Sequence, residues 1–291
     1  MARLIYLARC LKAQFAPSRF VCPNCHGKRN SIVDRKYVIT QLRRCTGCLM
    51  LFRTPTDEAA ANPDFYENEY SEGFTTELPS QSRLDELKRT NFVGTEKDYS
   101  YYISVLFQLG LNRGARLFDY GCSWGYGSYQ LARAGFGVTA FEVGPSRRRY
   151  ARNNLDVQTI DDMDNAVVDL AGHFDCFFSA HVLEHVPSPQ LAFDAALRLL
   201  RSGGLFVCFA PNGSDTFRSA QNGWSRLWGE VHPNFVDDTF LNFSFKRSPR
   251  CIGSSPVVNA LIPSGPEITR LDGLTQSELF FAAQKDGNSW T

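Results

Sequence analysis

The 291-residue sequence carries almost no excess charge, because 31 lysines and arginines offset 30 aspartates and glutamates. A net charge of +1 provides no global field that would attract nucleic acid. No apolar run approaches the length that a membrane span requires. Internal repeats and low-complexity tracts are also absent, so the length predicts one large domain with a small appendage.

The first fifteen residues predict a short basic amphipathic helix. Arg3, Arg9 and Lys12 interrupt the apolar positions, which excludes a signal peptide. Such a helix either packs on its own or a partner domain or makes peripheral contact with a membrane surface. We favour packing, and we expect a cytoplasmic protein because a secretion signal is absent.

Four of the nine cysteines form two C-x2-C pairs, Cys22 with Cys25 and Cys45 with Cys48. Two such knuckles with nineteen residues between them predict a structural Zn²⁺ site in a zinc ribbon. A site made of four thiolates has no open position for water, so this zinc stabilises the fold and takes no part in catalysis. The alternatives are disulfides or a decayed ribbon, and the adjacent His26 is expected not to bind the metal.

A glycine-rich turn follows the predicted buried strand Arg116–Tyr120 and leads into a helix at about residues 127–134. The next predicted strand, Gly137–Phe141, ends on Glu142. Such a turn lets a ligand approach the backbone. A carboxylate at the tip of the second strand can accept two hydrogen bonds from ribose hydroxyls. The pattern predicts an adenosine-type cofactor at the carboxyl edge of a parallel sheet.

The turn reads D-Y-G-C-S-W-G-Y-G and lacks the G-x-G-x-x-G spacing of dinucleotide sites. It resembles the first motif of class I S-adenosylmethionine-dependent methyltransferases, an acid followed by G-x-G-x-G. In that family the acid and the turn hold the methionine end, and the acid after the second strand holds the ribose. Ser123 stands where the family usually has glycine, so we expect a slightly narrower turn. The resemblance implies these cofactor-binding residues: Asp119, Gly121, Cys122, Gly125 and Glu142.

The segment FDCFFSAHVLEHVPSPQLAFDAALRLLRSGGLFVCFAPNG resembles the second half of the same family. The resemblance therefore covers about residues 98–213. It implies a doubly wound, Rossmann-like α/β sheet of seven strands, with the last strand antiparallel at about Ser277–Ala283. It also implies that a residue among Asp161, Asp162 and Met163 meets the adenine, and we favour Asp162. For His181 we favour backbone contact with the cofactor over a role as a base. Residues 250–272 fit no predicted element.

The order of segments also resembles a narrower group, in which a four-cysteine ribbon and a tyrosine-rich linker precede the methyltransferase domain. R-x-C-x-x-C, T-P-T and F-Y-x-x-x-Y carry this resemblance. The predicted organisation is an amphipathic helix at 1–19, a zinc ribbon at 20–54, a connector or lid at 55–97 and the methyltransferase domain at 98–291. Tyr66 and Tyr70 in the connector either close over the cofactor or pack in its core.

The chemistry of the cofactor defines what remains for the protein to do. A sulfonium carries an activated methyl group, so the enzyme must align donor and nucleophile. A hydroxyl acceptor also needs a base, and histidine suits that role near neutral pH. Among five histidines, His185 and His232 are the predicted catalytic residues. The alternatives are that His185 pins the loop after its strand and that His232 only binds the acceptor or has a structural role.

The narrower group is frequent in bacterial small-molecule and surface-polysaccharide biosynthesis. The predicted function is therefore methyl transfer to a small-molecule or sugar acceptor. An RNA methyltransferase is the alternative, because ribbons also occur in RNA-modifying enzymes and this ribbon contains Arg29, Arg35 and Lys36. The near-zero net charge makes a nucleic-acid partner unlikely. A non-catalytic protein that binds the cofactor is the third hypothesis.

Overall fold

The computed structural model describes residues 2–56 and 77–291, apart from the side chains of residues 2–5. The aromatic residues of the predicted connector therefore lie outside the described residues: Phe65, Tyr66, Tyr70 and Phe74. None of the described helices combines the length and the apolar character that crossing a bilayer would require.

The described elements alternate between helix and strand through most of the C-terminal two thirds of the chain. In chain order the helices and strands are α1 (Ala2–Ala13), β1 (Asn30–Lys36), β2 (Thr40–Cys45), β3 (Leu51–Thr54), α2 (Gln81–Arg89), α3 (Ser100–Gln108), β4 (Arg116–Tyr120), α4 (Tyr126–Arg133), β5 (Gly137–Phe141), α5 (Pro145–Leu155), β6 (Thr159–Ile160), α6 (Met163–Asp169), β7 (Phe174–Ala180), α7 (Pro189–Leu199), β8 (Leu200–Pro211), α8 (Asp215–Ala220), β9 (Asn234–Phe235), α9 (Asp238–Ser244), β10 (Arg250–Ser254), β11 (Ile268–Arg270) and β12 (Glu278–Gln284). Short 3₁₀ helices cover Pro17–Phe20 and Trp224–Leu227.

The large sheet has the strand order β11-β10-β12-β8-β7-β4-β5-β6. Strand β12 is antiparallel to both of its neighbours, β8 and β10, and the other pairs are parallel. This order confirms the predicted doubly wound α/β fold and its antiparallel last strand. The sheet has one strand more than the expected seven, because the short edge strand β11 joins β10. Both β10 and β11 begin within the stretch that the sequence pattern left unassigned.

The central strands are buried on both faces, as expected where helices cover a parallel sheet on both sides. Phe177 and Phe178 in β7 are both fully buried. They belong to different hydrophobic cores, because successive side chains of a strand point to opposite faces. This burial explains why the strand reads as an almost continuous apolar run in the sequence.

The small sheet joins the ribbon to the C-terminal domain. Its strands lie in the order β1-β2-β3-β9, and β9 comes from the C-terminal domain. Leu51 pairs with Phe235, and Phe52 pairs with Asn234. Strand β3 was not predicted, and its two-residue partner β9 is too short to leave a pattern in the sequence. The ribbon and the C-terminal domain therefore share one sheet.

Polar contacts and a common core strengthen this junction. Arg44 Nη2 lies 2.5 Å from Oδ2 of the fully buried Asp237. Asn24 Oδ1 accepts hydrogen bonds from the amide of Gln190 at 2.8 Å and from the hydroxyl of Ser188 at 3.1 Å. The hydrophobic core that contains ribbon residues also contains residues of β7, α7 and α9. The ribbon is thus packed into the C-terminal domain as part of one core.

Helix α1 packs on the rest of the protein through its described side chains. Tyr6 and Cys10 are buried, and Arg9 Nη2 lies 3.2 Å from Glu230 Oε1. Phe15, just beyond the helix, is 87% exposed. The helix therefore makes the intramolecular contacts that we favoured. Peripheral contact with a membrane stays a prediction.

Candidate functional site

A cavity of about 480 Å³ lies at the carboxyl ends of the neighbouring strands β4, β5 and β7. Parallel strands bring the turns that follow them to one edge of the sheet. Gly121, Glu142 and His181 follow these three strands, and all three line the cavity. His185 and His232 line it as well, so three of the predicted cofactor residues and both predicted catalytic residues face one space.

The glycines of the turn allow close packing around the cavity. Gly121 has φ +85°, and a Cβ atom there would lie 2.5 Å from Val182 Cγ2. A Cβ atom on Gly127 would lie 2.3 Å from the ring of Tyr99. The sequence predicts that Gly121 leaves room for a ligand, but in the structure Val182 occupies the space beside its Cα. A residue larger than glycine at position 121 would therefore displace Val182 and strain the backbone.

Glu142 is buried, with 6% of its surface exposed, and its two carboxylate oxygens contact two different loops. Oε2 accepts a hydrogen bond from the amide of Ser123 at 3.0 Å, and Oε1 accepts one from the amide of Gly144 at 2.8 Å. Burial raises the pKa of Glu142, while these bonds and the nearby Arg147 oppose that rise. Each oxygen keeps a second lone pair, which is what two ribose hydroxyls require.

Asp119 lies at the end of β4 and is not among the residues that line the cavity. Its carboxylate accepts a hydrogen bond from the hydroxyl of Ser128 at 2.5 Å. Burial raises the pKa of Asp119 to about 6. The amides of Gly121 and Cys122 both donate to the carbonyl of Phe141, which ties the turn to β5. Asp119 and Cys122 therefore lie within the supporting structure of the turn.

Two other predicted cofactor residues have contacts of their own. Asp162 caps α6 by accepting a hydrogen bond from the amide of Asn165 at 3.0 Å, and it lies outside the lining of the cavity. Gly125, with φ +89°, forms the N-cap of α4, and its amide donates to the carbonyl of Cys122. The contact of Asp162 with adenine stays a prediction.

His181 lies between two carboxylates at the mouth of the cavity. Its Nε2 is 2.6 Å from Glu278 Oε1, and its Nδ1 is 3.4 Å from Glu184 Oε1. Burial lowers the pKa of His181, but these carboxylates raise it to about 10. Its own amide donates to the carbonyl of Phe209 at 2.8 Å, in a backbone conformation with φ +55°. This side chain is therefore positively charged at neutral pH.

His185 and His232 lie side by side next to Glu184. Their ring centroids are 4.7 Å apart, and His185 Nε2 is 3.8 Å from Glu184 Oε1. The carbonyl of Val231 lies 2.8 Å from His185 Nδ1, and the carbonyl of Leu227 lies 3.0 Å from His232 Nδ1. Burial lowers the pKa of His185 to about 4, so this ring is neutral at physiological pH.

Sequence reasoning missed several residues that line this cavity, among them Tyr102 and Arg147. Tyr102 donates a hydrogen bond from its hydroxyl to Glu278 Oε1 at 2.7 Å. In the sequence it reads as an apolar position of a helix, and Arg147 reads as part of a solvated basic helix. Glu184 lies between His181 and His185 in the sequence. The only signal that could have identified it is the presence of a carboxylate next to two histidines.

The structure also brings the four ribbon cysteines together, with all of their Sγ atoms within 4.8 Å of one another. The Cys22 and Cys48 sulfurs are 3.6 Å apart, and the Cys25 and Cys45 sulfurs are 3.5 Å apart. Tetrahedral Zn²⁺ with bonds of about 2.3 Å requires sulfurs about 3.8 Å apart. The donor set and its spacing fit a zinc site made of four thiolates.

The two knuckles have the same backbone structure. The amide of His26 donates to the carbonyl of Cys22 at 2.9 Å, and the amide of Leu49 donates to the carbonyl of Cys45 at 3.1 Å. Both His26 and Leu49 have positive φ, 58° and 66°. His26 therefore occupies the same position in the first knuckle as Leu49 does in the second. This equivalence agrees with the expectation that His26 does not bind the metal.

Comparisons with known proteins identify the large domain. A family model described as a methyltransferase domain matches residues 95–248, more than half of the chain. Ubiquinone biosynthesis O-methyltransferase of Xanthomonas oryzae pv. oryzae is 38% identical over 109 residues, which are 35% of this chain and 44% of the relative. The protein of that name from Xylella fastidiosa (strain M23) is 38% identical over 116 residues, 36% of this chain and 45% of the relative. The chain thus spans less than half the length of these curated relatives.

Solved structures with similar folds include two methyltransferases. A TehB-like SAM-dependent methyltransferase from Corynebacterium glutamicum has a TM-score of 0.47 and 18% identity, covering 77% of this chain and 100% of that chain. A SAM-dependent methyltransferase from Archaeoglobus fulgidus has a TM-score of 0.46 and 12% identity, covering 71% of this chain and 100% of that chain.

The position of Glu142 leads to a prediction about cofactor affinity. Glu142→Ala removes both acceptor oxygens, so S-adenosylmethionine binding should weaken by about 1.5–3 kcal/mol, the range for hydrogen bonds to charged groups. Isothermal titration calorimetry measures the loss. Glu86→Ala, at an exposed glutamate of α2, is the matched control. Unchanged affinity in a Glu142→Ala protein that unfolds at the normal temperature would remove Glu142 from the ribose site.

Proposed function

This chain belongs to the methyltransferase-domain family, and we propose that it transfers a methyl group from S-adenosylmethionine to a small-molecule or sugar acceptor. One observation carries the proposal: Glu142 and the pair of His185 and His232 line the same cavity. A cavity of about 480 Å³ has the usual size of a small-molecule site. The likeness to relatives named ubiquinone biosynthesis O-methyltransferase supports a small-molecule acceptor.

The residues around the turn hold the cofactor. Glu142 accepts hydrogen bonds from the ribose, and the backbone at Gly121 and His181 approaches the methionine end. Asp119, Cys122 and Gly125 maintain the shape of the turn, and Asp162 meets the adenine. S-adenosylmethionine supplies a methyl group on a sulfonium when it is bound, so the protein's task is alignment and the exclusion of water.

His185 and His232 promote the loss of the acceptor's proton. Both side chains lie in the lining of the cavity, and their Nδ1 atoms face backbone carbonyls. That arrangement fixes both rings and places the lone pair of a neutral imidazole on Nε2. The acceptor belongs to the biosynthesis of a surface glycan or a secondary metabolite, in keeping with the ribbon and linker that precede the domain.

Transfer of labelled methyl from S-adenosylmethionine into fractionated extract of the source organism tests this function. We expect label in the small-molecule or glycan fraction, and much less label with Glu142→Ala at the same concentration of S-adenosylmethionine. Label confined to RNA would replace the proposal with an RNA methyltransferase. No label in any fraction, together with tight cofactor binding by calorimetry, would favour a non-catalytic protein.

Zinc in the ribbon is the second part of the proposal. The four thiolates hold one Zn²⁺ in a closed site that supplies stability and no chemistry. Three of these cysteines, Cys22, Cys45 and Cys48, belong to the same hydrophobic core as Phe240 of the C-terminal domain. The metal therefore stabilises the junction between the ribbon and the domain as well as the ribbon itself.

Replacement of a ribbon cysteine should release this zinc. Freshly purified, reduced protein should contain about one thiolate-bound zinc per chain, and Cys22→Ser or Cys48→Ser should lose it. Because the core is shared, the temperature of unfolding of the whole chain should fall as well. Elemental analysis and calorimetry measure the two effects, with Cys251→Ser as the control for loss of a buried thiol elsewhere. Zinc retained in both ribbon variants would contradict the assignment.

The assignment of His232 predicts a loss in turnover. His232→Ala should leave cofactor affinity close to that of the wild type and lower kcat by about 10²–10⁴-fold, the usual worth of a positioned acid–base group. Steady-state kinetics with the identified acceptor measure this. The control is His173→Ala, which removes an exposed histidine directly before the start of β7. Wild-type turnover in His232→Ala would exclude His232 and leave His185 as the candidate.

A further inference from the structure

We propose that Glu184, His185 and His232 form a second metal site, separate from the four cysteines, that binds a divalent cation at the acceptor end of the cavity. The role of the cation toward the acceptor rests on the proposed function, but its binding does not. The ligand atoms of these three residues lie within 4.8 Å of one another. They come from the loop after β7 and from the segment before β9, which the fold brings together.

The tautomers of the two histidines suit metal binding. A carbonyl oxygen can only accept a hydrogen bond, so Nδ1 of His185 carries the proton shared with Val231, and Nδ1 of His232 carries the one shared with Leu227. In a neutral imidazole the lone pair is then on Nε2. A histidine ligand usually donates its other ring N–H to a carbonyl or a carboxylate in this way.

Glu184 supplies the charge that such a site needs. Its side chain is 1% exposed, and within residues 2–56 and 77–291 neither carboxylate oxygen has a hydrogen-bond partner. A buried carboxylate without such partners is costly. His181 Nδ1 lies 3.4 Å from Glu184 Oε1, but the Nε2 atom of the same ring makes the shorter contact, 2.6 Å, with Glu278. A divalent cation would compensate the negative charge of the buried Glu184.

The distances between the ligand atoms are compatible with a bound cation if the three side chains move slightly closer together. His185 Nε2 is 3.8 Å from Glu184 Oε1. Metal bonds of about 2.1 Å need ligand atoms about 3.0–3.4 Å apart. Rotations that move the side-chain atoms by about 1 Å therefore complete the coordination.

The donor set indicates which cations bind and what they do there. Two imidazoles and one carboxylate leave coordination positions open, and this set takes Fe²⁺, Mn²⁺ or Zn²⁺. All three residues line the cavity, so a hydroxyl of an acceptor bound there could take one of the open positions. A divalent cation lowers the pKa of a bound hydroxyl, whose proton then passes to bulk water. With the cation bound, His185 and His232 promote the loss of that proton as metal ligands and not as bases, because their Nε2 lone pairs are coordinated. The proposal therefore specifies an acceptor with an oxygen nucleophile.

Titration with Mn²⁺ tests the site without any acceptor. Mn²⁺ prefers carboxylate and imidazole to thiolate, so it does not compete for the cysteine cluster. The full chain is first dialysed against citrate, which leaves thiolate-bound zinc in place, and free Mn²⁺ is then followed by its EPR signal. We expect one site per chain. Glu184→Gln and His232→Gln should weaken it by more than about 100-fold, since loss of an outer-shell partner alone costs about 10–100-fold.

Matched controls are Glu86→Gln and His173→Gln, which remove an exposed carboxylate and an exposed imidazole elsewhere. Both should bind Mn²⁺ as the wild type does. If the site variants fail to fold, pulsed EPR on the wild-type Mn²⁺ complex decides the question, because two imidazole nitrogens should couple to the metal. Absence of nitrogen coupling, or equal Mn²⁺ affinity in wild type and Glu184→Gln, would overturn the proposal. Methyl transfer without Mn²⁺ binding would overturn this site and leave the proposed function intact.

Discussion

The parallel register of β4, β5 and β7 is the constraint on which the site depends. Tyr120 is paired with Phe141, and Asp119 is paired with Phe178, so these strands end at nearly the same level. The glycine turn, Glu142 and the loop with His181 must then meet at one edge. Three segments that are far apart in the sequence form one cavity because their strands are neighbours and run in the same direction.

Local pattern was sufficient to predict this part of the fold. The bounds of β4 and β5 agree with the prediction, because each is a largely apolar segment that ends at a glycine or an acid. Strand β9 could not be predicted, since two residues show no periodicity and their pairing depends on β3. Strand β10 is buried at all five positions, yet its sequence RCIGS has only one branched apolar residue. Both strands depend on tertiary contacts, and these contacts cannot be recognised from a local sequence pattern.

The candidate site was predictable to the extent that its residues belong to motifs. The cysteines and the glycine turn are local features with characteristic spacing, and the structure brings each set together. The pairing of His185 with His232 is not local, because only the packing of the segment before β9 against the loop after β7 places their rings 4.7 Å apart. Glu184 gains its significance in the same way, from its burial and from its neighbours.

The ribbon contributes to the site through β9, although none of its cysteines lines the cavity. The amide of Arg53 in β3 donates to the carbonyl of Pro233 at 2.8 Å, directly beside His232. Asn234 continues this connection, because its side-chain amide donates to the carbonyls of Leu183 and Val186 on the loop that contains His185. Anything that loosens β3 therefore loosens the segment that positions His232. The four-cysteine cluster and the candidate site are in this way connected through β3 and its two-residue partner β9.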